Sequence, residues 1–193
     1  MLSFCLATNN EHKLAELRAK LGDRFRLVSL AEIGCREELP ETMDTLPGNS
    51  RQKAEYVFTG YGIACVADDS GLEIAALGGA PGVHSAYYAG PQRDAAENMR
   101  RVLKEMGATQ NRAARFRTVL TWASAGGTVQ FEGILEGTMA HEPRGANGFG
   151  YDPIFVPHGY TRTLAELTIS EKNSISHRAL AVQKFVNFLS SGI

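Results

Sequence analysis

The run Ala64-Cys65-Val66-Ala67-Asp68-Asp69-Ser70-Gly71 constrains the fold of this chain more than any other stretch. Four small or apolar residues, followed at once by two carboxylates, a hydroxyl and a glycine, read as a buried strand that delivers its acids to the edge of a sheet. Chemistry in α/β folds collects at that edge. Adjacent aspartates repel, so a chain that places both there offsets the repulsion with a cation or solvates one of them. Asp-Ser-Gly is also good turn material, and taken alone the motif favours a turn. The supply of cationic groups elsewhere in the chain reverses that preference.

The first supply is near the start. Leu2-Ser3-Phe4-Cys5-Leu6-Ala7 is a short apolar strand, and Leu14, Leu17 and Leu21 then recur at helical spacing. Between them lie Thr8, Asn9, Asn10, Glu11, His12 and Lys13. With Asn10 as N-cap, Lys13 falls in the first helical turn, where the helix dipole disfavours a cation unless an anion sits alongside. The unit therefore reads either as a phosphate cradle or as a surface lysine at a helix start. It is not a P-loop, since it lacks the glycines and the GK[ST] ending. A second cationic helix start follows if Ser176 is the N-cap of the last helix, which puts His177 and Arg178 in its first turn. Ala181, Val182, Phe185, Phe188 and Leu189 form that helix's apolar face.

Between these ends the pattern alternates. Residues 25–30 are a second strand, and Glu37 and Glu38 read as a solvated loop. Glu41 sits just before a helix from about Leu46 to Thr59 that carries Asn49, Lys53, Tyr56 and Val57 and is stopped by Gly60 and Gly62. The Gly-, Ala- and Pro-rich residues 78–90 read as a loop covering a site. Met99, Val102, Leu103 and Met106 mark an amphipathic helix beginning near Arg93. Residues 116–123, a Gly126-Gly127 turn and residues 128–133 predict a β-hairpin, with 134–139 extending it or starting another strand. A hairpin after strand–helix units predicts a mixed sheet. Residues 145–152 form a glycine-rich loop presenting Phe149, either to a hole in the core or to a flat ligand such as a base ring, and lead into a strand over 153–156.

The 193 residues, 44% hydrophobic, suffice for one sizeable core, so the expectation is a single α/β domain over 1–193, possibly two-lobed. A formal net charge of -1 argues against a polynucleotide partner and is compatible with one small anionic ligand. No segment approaches a membrane span and no charged-then-apolar leader follows Met1, so the expected location is cytoplasmic and soluble. Cys5, Cys35 and Cys65 are widely spaced and odd in number, which fits neither a disulfide framework nor a zinc site. Cys5 and Cys65, inside apolar runs, read as packing residues.

Taken together, the motifs resemble the inosine triphosphate pyrophosphatase family, the XTP/dITP diphosphatases. The resemblance rests on Leu6-Ala7-Thr8, Glu41-Thr42, Ala67 to Leu72, Gly78-Gly79-Ala80-Pro81-Gly82, Gly148 to Pro153, Glu171-Lys172-Asn173 and Ser176-His177-Arg178. It implies a two-lobed α/β fold with a long central mixed sheet flanked by helices and a nucleotide cleft between the lobes. It further implies a homodimer and Mg2+-dependent hydrolysis of ITP, dITP or XTP to monophosphate and pyrophosphate, cleansing the nucleotide pool. On matching positions it gives Thr8 to Lys13 to the triphosphate and Glu41 and Asp69 to the metal. Asp69 is also the proposed base, with Lys13 a second catalytic group, and Ser70 contacts substrate. Phe149, Gly150, Tyr151, Asp152, Lys172, His177 and Arg178 surround base and sugar. The chain departs from the family pattern at Met43, Leu46, Pro47-Gly48 and Tyr87, the last standing where an arginine is usual. The alternatives are a Maf-like pyrophosphatase acting on other nucleotides and a non-catalytic purine-nucleotide sensor.

Overall fold

Side chains on a strand alternate between faces, and in this chain that alternation decides which charges meet. The computed structural model describes residues 3–8, 13, 17–18, 21–22 and 25–191. The described strands are β1 (Ser3–Leu6), β2 (Arg26–Val28), β3 (Cys65–Ile74), β4 (Ala113–Ser124), β5 (Gly127–Met139) and β6 (Phe155–Pro157). They form one sheet in the order β2-β1-β3-β4-β5-β6. β1 pairs in parallel with both β2 and β3, whereas β5 and β6 are antiparallel. The sheet is mixed, as the hairpin predicts. β4 and β5 are neighbours joined through only Ala125 and Gly126, a connection short enough for a hairpin and too short for a crossover. Residues 134–139 extend β5 rather than starting another strand.

The described helices are α1 (Leu46–Tyr61), α2 (Ala95–Met106), α3 (Ile169–Ile175) and α4 (His177–Ser190). Lys13, Leu17, Arg18 and Leu21 are also helical. Thr45 caps α1 by accepting from the Gly48 amide at 3.1 Å, Pro47 lies in its first turn, and Gly62 ends it in the left-handed region at φ 66°. Gly60, expected to help stop the helix, lies inside it. Asp94 caps α2 by accepting from the Glu97 amide, so that helix starts two residues after Arg93.

The chain clusters into two compact units. The first comprises Met1–Asp69, Thr118–Gly133 and Ala179–Ile193; the second comprises Ser70–Arg117 and Ile134–Arg178. In the first unit β1 and β3 separate two cores. Phe4, Leu6 and Val66 face one, with Leu17, Leu21, Trp122 and Phe185. Cys5, Ala7, Cys65 and Ala67 face the other, with Ala54 and Val57 of α1. Cys5 and Cys65 are in register and fully buried, and with Cys35 they are free thiols that pack. In the second unit Leu72, Ile74, Val102, Phe116, Ile154, Phe155 and Leu164 form the core. No helix among the described residues is long and apolar enough to cross a membrane.

Candidate active site

β3 runs unbroken through Asp68-Asp69-Ser70-Gly71, so these residues are neither a turn nor the end of a strand. The expectation that the strand ends by delivering its acids to the edge of the sheet is corrected accordingly. Their position in mid-strand sends the two carboxylates to opposite faces. Asp68 shares its parity with Val66, on the side of the helical residues Leu17 and Leu21. There it meets Lys13, whose Nζ lies 2.7 Å from Asp68 Oδ2. Asp69 shares its parity with Cys65 and Ala67, on the side of α1. There Lys53 Nζ lies 3.7 Å from Asp69 Oδ1 and also forms an ion pair with Glu41. Each aspartate is thus offset by its own lysine, one per face.

Lys53 was not singled out for chemistry by the sequence reading, although a signal existed. Leu46, Asn49, Ser50, Lys53, Ala54 and Val57 are the buried positions of α1, spaced as one helical face. A lysine on such a face needs a partner. Ser50, on the same face, bonds the Ala67 carbonyl at 3.1 Å and the Thr121 hydroxyl at 2.7 Å, and Gln130 bonds Thr121 and the Pro47 carbonyl, each at 2.9 Å. This network pins α1 to the sheet one turn from Lys53. The loop before α1 is held by the same helix. Asn49 accepts from the Met43 amide at 2.9 Å, while Gln52 accepts from the Thr42 amide at 2.9 Å and donates to the Thr42 hydroxyl at 2.8 Å.

Burial is the largest influence on Asp69. Together with the negative charges of Glu41 and Asp68 it outweighs Lys53 and Lys13 and pushes the carboxyl up to about 6. Burial works to lower the Lys53 ammonium, yet Asp69, Asp68 and Glu41 outweigh it and the group titrates above its usual value. Mg2+ is commonly held by one or two carboxylates together with waters and substrate phosphates rather than by an all-protein cage. Glu41 and Asp69 fit that demand, as hard oxygens gathered around one ammonium. Asp69 Oδ2 is buried and has no hydrogen-bond donor among the described residues, while Lys53 approaches the other oxygen. Among the described residues no group of three or more His, Cys, Asp or Glu forms a metal cage.

The second unit carries the other group of residues. Asn147 anchors its loop by bonding the Ala165 and Leu167 carbonyls through its amide and side chain, each at 3.0 Å. Asp152, 4% exposed, accepts from the Phe149 amide at 2.8 Å and from Lys172 Nζ at 2.5 Å. Gly148 lies at φ 79°, and a Cβ there would run into the Asp152 carboxylate, so this close wrap requires glycine. Phe149 is left 41% exposed, with Lys172 Nζ 4.4 Å and the Arg178 guanidinium 5.9 Å from its ring centroid. Of the two sequence readings for Phe149, the core plug is excluded. Lys172 lies on α3, whose Thr168/Glu171 capping box the sequence reading passed over.

The structure brings Lys13, Asp68, Lys53, Asp69 and Glu41 together in the first unit, and Phe149, Asp152, Lys172 and Arg178 together in the second. Thr8 follows β1, and Ser70 lies in β3 next to Asp69. Tyr151 is 5% exposed and its hydroxyl donates to the Ser85 carbonyl at 2.9 Å, which ties the Phe149 loop to the short helical turn Gly82–Tyr87. Gly150 takes φ 62° between Phe149 and Tyr151. His177 stacks on Phe116 at 4.9 Å and 11°. The strand expected over 153–156 begins only at Phe155, because Pro153 sits in the turn Asp152–Ile154. Asn9, Asn10, Glu11 and His12 lie outside the described residues. At the positions that depart from the family pattern, Met43 is exposed, Leu46 is buried, the Pro47 carbonyl accepts from Gln130, and the Tyr87 hydroxyl pairs with His84.

A model of the Ham1 family matches residues 4–188. A dITP/XTP pyrophosphatase of Porphyromonas gingivalis is 51% identical over 190 residues, which is 98% of each chain. One of Bacillus subtilis is 47% identical over 188 residues, 95% of each chain. Among solved structures, a Ham1 protein of Staphylococcus aureus has a TM-score of 0.94 at 33% identity, covering 99% of this chain and 100% of that one. A HAM1 protein of Coxiella burnetii has a TM-score of 0.94 at 38% identity, with both chains covered completely.

Proposed function

Because the chain belongs to the Ham1 family, we propose that it hydrolyses non-standard purine nucleoside triphosphates, dITP, ITP and XTP, to the monophosphate and pyrophosphate with Mg2+. The observation that carries this reading is the arrangement of Lys53 between Glu41 and Asp69, backed by Lys13 against Asp68 on the opposite face of β3. Two ammonium groups suit a polyphosphate, whose charge must be neutralised before water can approach it. Glu41 and Asp69 would hold Mg2+, which when bound supplies further neutralisation of phosphate charge and orients the anhydride to be cleaved. Asp69 is placed in the role of orienting the attacking water and accepting its proton. Thr8 to Lys13 and Ser70 are assigned to the phosphates.

Base recognition falls to the second unit. Phe149 offers its face for stacking, and Lys172 and Arg178 are cationic donors beside that face. Hypoxanthine and xanthine present a carbonyl acceptor at position six where adenine presents an amino donor, so such donors favour the former pair. Gly150, Tyr151, Asp152 and His177 are assigned with them to the surroundings of base and sugar. A homodimer is part of the same reading.

The test is a set of specificity constants with Mg2+ for dITP, XTP, ATP and UTP. The reading expects dITP and XTP to exceed ATP by several orders of magnitude, as sites built around a polar partner can achieve. Preference for UTP would favour the Maf-like alternative, and tight binding without turnover would favour a sensor.

A further inference from the structure

Glu41 belongs to a stretch, residues 39–45, that has no helix or strand, yet the reading above requires its carboxylate to meet a cation at a defined place. One face of α1 controls that stretch. Asn49, Gln52 and Lys53 stand at positions i, i+3 and i+4 and reach the Met43 amide, both polar groups of Thr42, and Glu41 itself. The three contacts differ in kind. Lys53 holds the carboxylate through charge, so a divalent cation arriving at Glu41 competes with it for the same oxygens. Gln52 holds the residue next door through two uncharged hydrogen bonds, which a cation does not contest. Asn49 holds the following amide, so the loop keeps one tether when Gln52 is removed.

We propose that Gln52 is a positioning residue for Glu41, its amide clamping Thr42 so that the neighbouring carboxylate stays directed at the cation site whatever Lys53 is doing. The proposal rests on Glu41 being a metal ligand. Partners of this kind, one step removed from the ion, change metal affinity by about 10–100-fold when lost.

Mn2+ is the probe, titrated into the full chain without nucleotide and followed by the electron paramagnetic resonance signal of the free ion. Gln52→Ala is expected to weaken Mn2+ binding by about 10-fold or more relative to the wild type. Thr42→Val, which removes the hydroxyl arm, should weaken it less. The double variant should equal Gln52→Ala alone, since both substitutions break one clamp. A merely structural role for Gln52 would give independent effects that add. Unchanged affinity in Gln52→Ala, or additive effects in the double variant, would overturn the clamp while leaving the metal reading intact. If Gln52→Ala does not fold, the wild type and Thr42→Val decide alone: equal affinities overturn the proposal. A wild type that binds no Mn2+ and releases no pyrophosphate from ITP would instead remove the reading on which the proposal stands.

Discussion

Replacing Lys53 by methionine keeps most of the side chain's length and removes its charge. Lys53 is 8% exposed at its side chain and faces Glu41 and Asp69, whose side chains are 40% and 13% exposed. Removing one partner of a buried ion pair costs about 3–5 kcal/mol, because the other charge stays buried and uncompensated. Two features reduce that figure here: Glu41 is open enough to be rehydrated, and Asp69 can relieve its isolation by taking up a proton. About 2 kcal/mol is therefore expected. For a chain of this size each kcal/mol shifts the melting midpoint by about 2–4 °C, giving a fall of about 4–8 °C in EDTA. Mg2+ should recover much of the loss, and should raise the midpoint of Lys53→Met more than that of the wild type, since the ion replaces the missing positive charge between the two carboxylates. The assay is thermal unfolding followed by circular dichroism at pH 7.5, in EDTA and then in excess Mg2+. A variant that melts within about 1 °C of the wild type in EDTA would show that the ammonium is not needed to hold these carboxylates together, and the electrostatic account of the site would fail.

Asp69→Asn keeps size and loses charge, so turnover of ITP should fall by at least about 10²–10⁴-fold in a folded protein, as read from pyrophosphate release. Phe149→Ala should weaken all purine substrates alike, whereas Arg178→Ala should narrow the ratio of specificity constants for ITP and ATP; an unchanged ratio would remove Arg178 from base recognition. Glu37 accepts from Tyr61 at 2.5 Å and from Tyr56 at 3.1 Å, and the Tyr61 hydroxyl is the largest influence holding its carboxyl down at about 2 instead of 4.5. A depressed carboxylate stabilises above its unfolded value and loses that contribution as pH falls toward its folded one. Wild-type stability relative to Glu37→Gln should therefore drop between pH 4.5 and 2, and parallel melting curves across that window would contradict the assignment.

The strands and the longer helices were legible because their signals are local. The buried face of α1 follows helical spacing, and the two-residue link between β4 and β5 announces a hairpin. The pairing of charges at Asp68 and Asp69 was legible only in part. A carboxylate pair predicts compensating cations, but which lysine serves which acid depends on strand parity, and that required knowing that β3 continues through the motif instead of turning. Lys53 could have been found as the one charged residue on the buried face of its helix. The clamp on Thr42 could not, since it joins residues ten apart across a stretch without periodicity. The same holds for the bond from Tyr151 to Ser85, residues 66 apart, which ties the loop that presents Phe149 to the turn Gly82–Tyr87. Helix α3 carries a capping box that is readable from Thr168 and Glu171, but seven residues are too few for an apolar period to stand out.

The most direct test of the proposed reaction is the identity of its products. Phosphorus-31 NMR of dITP incubated with the protein and Mg2+ should show equal amounts of dIMP and pyrophosphate, no dIDP at any time, and no reaction when the ion is chelated. The appearance of dIDP and orthophosphate, or equal rates with dATP, would contradict the account.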